Sequence, residues 1–132
     1  MACDPQMEMT GRQVLASATS GNALACAPVP GSRRLADMAR VVRSKNAGPT
    51  QLTIDIFLND AAAYALAAQS PALSCAAVAR LYAVDLRKLQ RHLLPAIHAI
   101  KFVLPRLVCA GSPGDGDVYG AQQHAPMLEV RL

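Results

Sequence analysis

Gln51-Leu52-Thr53-Ile54-Asp55-Ile56-Phe57-Leu58-Asn59 is the stretch of sequence that decides the fold. Its aliphatic side chains stand at every second position, and the residues between them are mostly polar. This period of two, with two isoleucines among the aliphatic residues, predicts a half-buried β-strand. Because successive side chains of a strand point to opposite faces, Asp55 is expected on the face opposite the aliphatic row, beside Thr53 and Phe57.

Two helices are predicted directly after this strand. Residues 61–69 are rich in alanine, which favours a helix, and Asn59 or Asp60 can cap its first turn. Ser70-Pro71 ends that segment. A second helix is predicted after Ser74, which supplies its N-cap.

Further strands are predicted on both sides of this central region. Residues 35–42 fit either a short helix or a strand, and the Val41-Val42 pair favours the strand. A polar loop is predicted at 45–50, and strands at 99–104 and 127–132. Residues 86–94 have leucines at helical spacing before Pro95 and stay unassigned. The fold class predicted is α+β, a small antiparallel or mixed sheet with helices on one face.

Composition and length favour one domain and limit its partners. The chain has 132 residues, 52% of them hydrophobic, and we predict a disordered N-terminal extension at 1–32 and a single α+β domain at 33–132. A net charge of +4 without a basic run, and no tryptophan, argue against a nucleic-acid partner. The four cysteines lack the spacing of a disulfide framework or zinc site. No apolar run approaches a membrane span, so the default expectation is a cytoplasmic protein without a membrane partner.

Two polar segments hold the candidate functional residues. Arg43-Ser44-Lys45-Asn46-Ala47-Gly48-Pro49 combines guanidinium, hydroxyl, ammonium and carboxamide donors, a set that suits a carboxylate or phosphate. The alternative is a solvated turn after a strand. The second segment, residues 111–126, is rich in glycine and proline and is predicted to be a surface loop.

The loop at 111–126 contains the candidates for chemistry. Asp115 and Asp117 either present carboxylates to a hard cation or organise turns by accepting backbone amides. The glutamate that an EF-hand requires is absent. His124 is a candidate general base, Gln122 and Gln123 are candidates to fix its tautomer, and Tyr119 is a candidate proton donor.

These motifs resemble a family of small proteins of unknown function, the domain of unknown function 4387. The resemblance rests on the 43–49 segment, the 52–57 strand, Ala99-Ile100-Lys101 and the 111–126 loop, and covers about residues 34–132. One departure is Gly116, where the family commonly has threonine. The positions carried over as candidates are Arg43, Ser44, Lys45, Asn46, Asp55, Lys101, Asp115, Asp117, Tyr119, Gln122, Gln123 and His124; Lys101 joins the catalytic candidates, with His124 and Tyr119, only through the resemblance.

The resemblance also implies a setting. Family members are often encoded beside, or fused to, relatives of acyclic terpene utilisation protein A, whose C-terminal domain is thought to be ferredoxin-like. It therefore implies a ferredoxin-like α+β fold and a larger partner of that kind. The implied role is in the catabolism of branched or hydroxylated acids, or their CoA thioesters. Whether the chain forms a homo-oligomer is left open, and its cofactor is unknown.

Three hypotheses about function follow. In the first, the chain is the small subunit of a lyase- or hydratase-type enzyme, and its two polar segments form one pocket for a small anionic metabolite, with Arg43 and Lys45 as clamps beside His124. In the second, the chain is a non-catalytic interaction module for the larger partner. In the third, it is a stand-alone enzyme with Mg²⁺ or Ca²⁺ at Asp115 and Asp117.

Overall fold

The structure, a computed structural model, describes residues 31–132. Residues 1–30 of the predicted N-terminal extension therefore lie outside the described part. The elements, in chain order, are α1 Leu35–Met38, β1 Ala39–Asn46, β2 Gln51–Leu58, α2 Ala61–Gln69, α3 Cys75–Tyr82, β3 Gln90–Leu94, β4 Ala99–Pro105 and α4 Ala125–Leu128. Short 3-10 turns lie at Pro71–Leu73, Leu86–Lys88 and Pro95–Ile97.

The four strands form one antiparallel sheet in the order β1-β2-β4-β3. The strand predicted at the alternating stretch is β2, an inner strand paired on both sides. The aliphatic row is buried as expected, since Ile54, Ile56 and Leu58 have no exposed surface and belong to the hydrophobic core. Thr53 and Asp55, on the other face, are also buried, at 4% and 6% exposure, so β2 is more buried than the predicted half-buried strand. The predicted α+β class with an antiparallel sheet is confirmed.

The helices pack on one face of this sheet. Leu35 of α1, Ala67 of α2, Val78 of α3 and Met127 of α4 are fully buried in the same core as the aliphatic side chains of β2 and β4. The predicted N-caps are present, because the Ala63 amide donates to the Asp60 carboxylate at 2.8 Å and the Ala77 amide to the Ser74 hydroxyl at 3.2 Å. Among the described residues, no helix is long and apolar enough to cross a bilayer.

The ends of the domain differ from the sequence prediction. Residues 35–38 are helical, and β1 starts at Ala39 and continues through Lys45 and Asn46, which had been expected in a loop. The strand continues because it pairs with β2 as far as Asn46 opposite Leu52. The closing strand predicted at 127–132 is wrong, since Pro126 occupies the first turn of α4 and only Arg131 bridges to Arg34.

The unassigned region and the connectivity are also settled. Residues 86–94 contain a 3-10 turn followed by β3, which pairs with β4. Between the short terminal helices α1 and α4, the element order is two strands, two helices, then two strands. It therefore differs from the β-α-β-β-α-β order of a ferredoxin-like fold, although both are small antiparallel α+β architectures.

Candidate functional site

The 111–126 loop packs against β1, so the two polar segments meet in the fold. The Asn46 carboxamide donates to the Val118 carbonyl at 2.7 Å, and the Asn46 amide donates to the Tyr119 carbonyl at 3.3 Å. The Ser44 hydroxyl donates to the Gly120 carbonyl at 2.6 Å. These bonds fix the loop backbone along the outer side of the edge strand.

Gly120 makes this close approach possible. Its φ is +69°, and a Cβ built there would meet the Asn46 side-chain oxygen and lie 2.9 Å from Leu52 Cδ1 and 3.0 Å from the Asn46 amide nitrogen. Any other residue would therefore suffer both backbone strain and overlap.

Arg106 is the central residue of the loop's interior, and sequence reasoning missed it. Its guanidinium donates to the Asp115 carboxylate at 2.8 Å, to the Asp117 carbonyl at 2.9 Å and to the Asn46 side-chain oxygen. The Arg106 and Asp115 side chains are only 4% and 3% exposed. The available signal was a lone arginine after Pro105, between apolar residues at the end of a strand.

The carboxylates of Asp115 and Asp117 are used within the loop. Asp115 accepts the backbone amides of Gly111 and Asp117, and these bonds, with Arg106, hold its pKa below the ordinary value. Desolvation alone would raise the pKa of Asp117. Hydrogen bonds from the Gln122 amide, the Gln123 carboxamide and the Ala121 amide outweigh it, so this pKa is also lowered.

This arrangement corresponds to the turn-organising alternative for the two aspartates. All four carboxylate oxygens accept hydrogen bonds from the protein. Within residues 31–132, no group of three or more histidine, cysteine, aspartate or glutamate side chains is arranged to hold a metal ion.

His124 is positioned by Ser44, and among the described contacts neither glutamine bonds to its ring. The His124 amide donates to the Ser44 hydroxyl oxygen at 3.1 Å, and Nδ1 lies 3.4 Å from the same atom. Since a carbonyl only accepts, the Ser44 proton goes to Gly120, and Ser44 can only accept from Nδ1. The contact therefore favours the tautomer with Nδ1 protonated and Nε2 as the acceptor nitrogen.

A cleft of about 260 Å³ lies between the sheet end and the loop. Leu52, Leu104 and Val84 line it on the apolar side, and Arg106 and Gln123 are among its polar lining residues. The Tyr82 hydroxyl, at its edge, donates to the Gln123 carbonyl at 2.8 Å. Burial raises the pKa of Tyr82 well above its ordinary value, so its phenol stays neutral.

The outer side of the loop exposes apolar surface. Tyr119 is 83% exposed, although the carbonyls of Tyr119 and its neighbour Val118 are both fixed by Asn46. Val118 is 49% exposed and Leu107, which shares the cleft lining with the loop, is 74% exposed.

The predicted anion clamps do not join His124, and the expected single pocket is not formed. Arg43 and Lys45 alternate with Ser44 on β1, so they project to the opposite face of the sheet. Arg43 Nε lies 3.1 Å from Asp55 Oδ2, and Lys101 Nζ lies 3.5 Å from Asp55 Oδ1. The predicted residues thus form two groups, and a role in binding stays a prediction for each.

Comparison with known proteins identifies the family. The model of the family described as a domain of unknown function (DUF4387) matches residues 35–131. No curated protein and no solved structure matches the chain. The chain belongs to this family.

Proposed function

We propose that this member of the domain of unknown function family is an accessory, non-catalytic subunit that docks onto a larger enzyme through the 111–126 loop. The observation that carries the proposal is an aromatic side chain held out from an immobilised backbone. Tyr119 is 83% exposed, yet bonds from Ser44 and Asn46 fix the three successive carbonyls at 118–120.

The physical advantage of this arrangement is low ordering cost. An immobilised loop loses little backbone entropy on binding, and tyrosine presents a large contact area with only two side-chain torsions. Tyrosine is enriched among the residues that contribute most to protein interfaces. Val118, the neighbour of Tyr119 in the chain, is 49% exposed and adds apolar surface.

The interior of the loop supports docking over catalysis. Ser44 gives its proton to a carbonyl, so it is not poised as a nucleophile. Arg106 is paired with Asp115, and the aspartates bind backbone amides, so these groups act on one another. These contacts order the loop.

The partner we propose is a larger protein similar to acyclic terpene utilisation protein A, in the catabolism of branched or hydroxylated organic acids. This partner comes from the family resemblance. We expect this partner to cover the exposed part of the 111–126 loop around Tyr119.

The test is the affinity of the purified chain for that larger protein, measured by isothermal titration. Tyr119→Ala should raise the dissociation constant about 30-fold, as expected for a central interface tyrosine worth about 2 kcal/mol. Leu86→Ala is the matched control, because Leu86 is 49% exposed in the separate 3-10 turn and should change affinity by less than about twofold. Equal affinities of wild type and Tyr119→Ala would overturn the docking proposal.

A second candidate function, proton transfer by His124 in the assembled enzyme, is favoured by the Ser44 contact that leaves Nε2 as acceptor. In this case the small subunit supplies a general base toward an organic acid bound by the complex. His124→Ala would then lower the activity of the complex by about 100- to 10,000-fold without changing its assembly. A loss below about threefold would remove His124 from the mechanism.

A further inference from the structure

The sheet face opposite the helices carries two side-chain rows of different chemistry. The antiparallel register aligns Val41, Phe57, Ala99 and Leu94 in one row across all four strands. The next row is formed by Arg43, Asp55, Lys101 and His92, and Lys45 follows Arg43 on β1. We call these the apolar row and the basic row of the open face. No element among residues 31–132 packs over this face, since the described helices share the core on the other side.

The apolar row is accessible at its two ends, whereas Ala99 in its middle is only 2% exposed. Val41 and Leu94 are 43% and 39% exposed, and Phe57 lies between them, partly buried. Two guanidinium groups cover Phe57, with Arg40 Cζ 5.7 Å and Arg43 Cζ 5.4 Å from the ring centroid. A partner would therefore contact aliphatic side chains at the two ends of the row and guanidinium groups above Phe57.

The basic row and its neighbours carry an excess of positive charge. Arg40, Arg43, Lys45 and Lys101 are opposed on this face only by Asp55, among the described residues. Asp55 is 6% exposed and already contacts both Arg43 and Lys101, so it can neutralise one of the four cations. Three positive charges remain for a partner.

We propose that the open face binds an amphipathic acidic segment of a partner protein, with apolar side chains on the apolar row and carboxylates over the basic row. A second copy of the chain would bring like charges together at the same face, which opposes a symmetric dimer through it. A nucleic acid is a poorer match, because Phe57 of the apolar row lies beneath guanidinium groups, and this hinders base stacking. An acidic segment with an aliphatic strip matches both rows.

This inference is independent of docking by the 111–126 loop. Arg43 and Lys45 project away from the face on which Ser44 bonds to that loop, so the two surfaces involve different side chains. The two surfaces can be tested with separate variants of the same full-length protein.

The probe is a synthetic helical peptide of about five turns with leucine on one stripe and glutamate on the next. We expect it to bind the full-length chain and to shift the backbone amide resonances of Val41 and Phe57. The double variant Arg40→Glu, Lys45→Glu should weaken binding at least about tenfold, because it reverses two of the positive charges on the open face. Lys88→Glu, at an exposed 3-10 turn, is the matched control and should change affinity less than about twofold.

Other outcomes would overturn the inference. Absence of peptide binding, or equal weakening by Lys88→Glu, would exclude a specific acidic partner on this face. If a peptide with serine for leucine binds as well, or an oligothymidylate binds more tightly and is lost in the same double variant, the face recognises polyanions such as nucleic acid instead. Tyr119→Ala should leave peptide affinity unchanged, so failure of this inference and failure of loop docking are distinguishable.

Discussion

Substitution of Gly120 by alanine tests most sharply whether the 111–126 loop is locked to β1. The Gly120 backbone has φ +69°, and alanine in the left-handed region costs about 1–2 kcal/mol. The added methyl group would also lie 2.9 Å from Leu52 Cδ1 and 3.0 Å from the Asn46 amide nitrogen. Overpacking of this kind costs about 1–3 kcal/mol, because a backbone atom cannot move aside as a flexible side chain can.

The two contributions sum to about 2–5 kcal/mol of lost unfolding free energy, or about 8–20 °C in Tm for a domain of this size. Urea and thermal unfolding, followed by circular dichroism, measure both quantities. We also expect Gly120→Ala to weaken binding of the larger partner, since the loop that carries Tyr119 would leave its position.

Gly116→Ala is the matched control for this experiment. Gly116 lies in the same loop, its φ is outside the left-handed region, and a Cβ built there meets nothing within 4 Å. Its unfolding free energy should stay within about 0.5 kcal/mol of wild type. If Gly120→Ala unfolds with the same free energy as Gly116→Ala, the loop is not held against β1 and the reasoning fails.

Three further predictions concern the groups beneath the loop. Arg106→Met should lower the urea midpoint of unfolding clearly more than Arg87→Met does, because the 4% exposed Arg106 side chain bonds to Asp115, Asp117 and Asn46, whereas Arg87 belongs to an exposed ion pair. Equal losses would contradict the role of the buried arginine. The pKa of Asp115 is lowered in the folded state, so the contribution of Asp115 to the unfolding free energy is complete above its unfolded pKa and is lost as pH falls below about 4. The difference in unfolding free energy between wild type and Asp115→Asn should shrink over that range. A constant difference would refute this prediction. Burial raises the pKa of Tyr82, so the contribution of Tyr82 to the unfolding free energy is lost as pH rises above about 10. The phenolate absorbance of Tyr82, identified by comparison with Tyr82→Phe, should therefore appear only when the protein unfolds. Phenolate formation in the folded protein would contradict the burial of this hydroxyl.

The sequence predicted the central strand well because its hydrophobic residues recur with the two-residue period of a β-strand. The aliphatic residues of β2 and the caps at Asp60 and Ser74 are local signals, and the structure has them as expected, whereas Thr53 and Asp55 on the other face of β2 are buried as well. At residues 127–132, the alternation of Leu128, Val130 and Leu132 resembled a strand. The turn chemistry of Pro126 decided instead, and it produced the short helix α4.

The candidate site was only partly predictable for a related reason. The spacing of Arg43, Ser44 and Lys45 predicts one donor cluster if the three residues lie in a loop. In a strand the same spacing sends neighbours to opposite faces, so only Ser44 reaches His124. Arg106 pairs with Asp115, nine residues away, in a contact that only the folded chain forms. No local sequence pattern predicts such a pair.

Hydrogen–deuterium exchange of the full-length chain, with and without the larger partner, tests the central claim most directly. We expect the amides of Ala121, Gln122 and His124, which donate to Asp117 and Ser44, to be already protected in the free protein. We also expect the partner to add protection around Tyr119. Unprotected amides at these positions in the free chain, or protection by the partner that omits this loop, would contradict it.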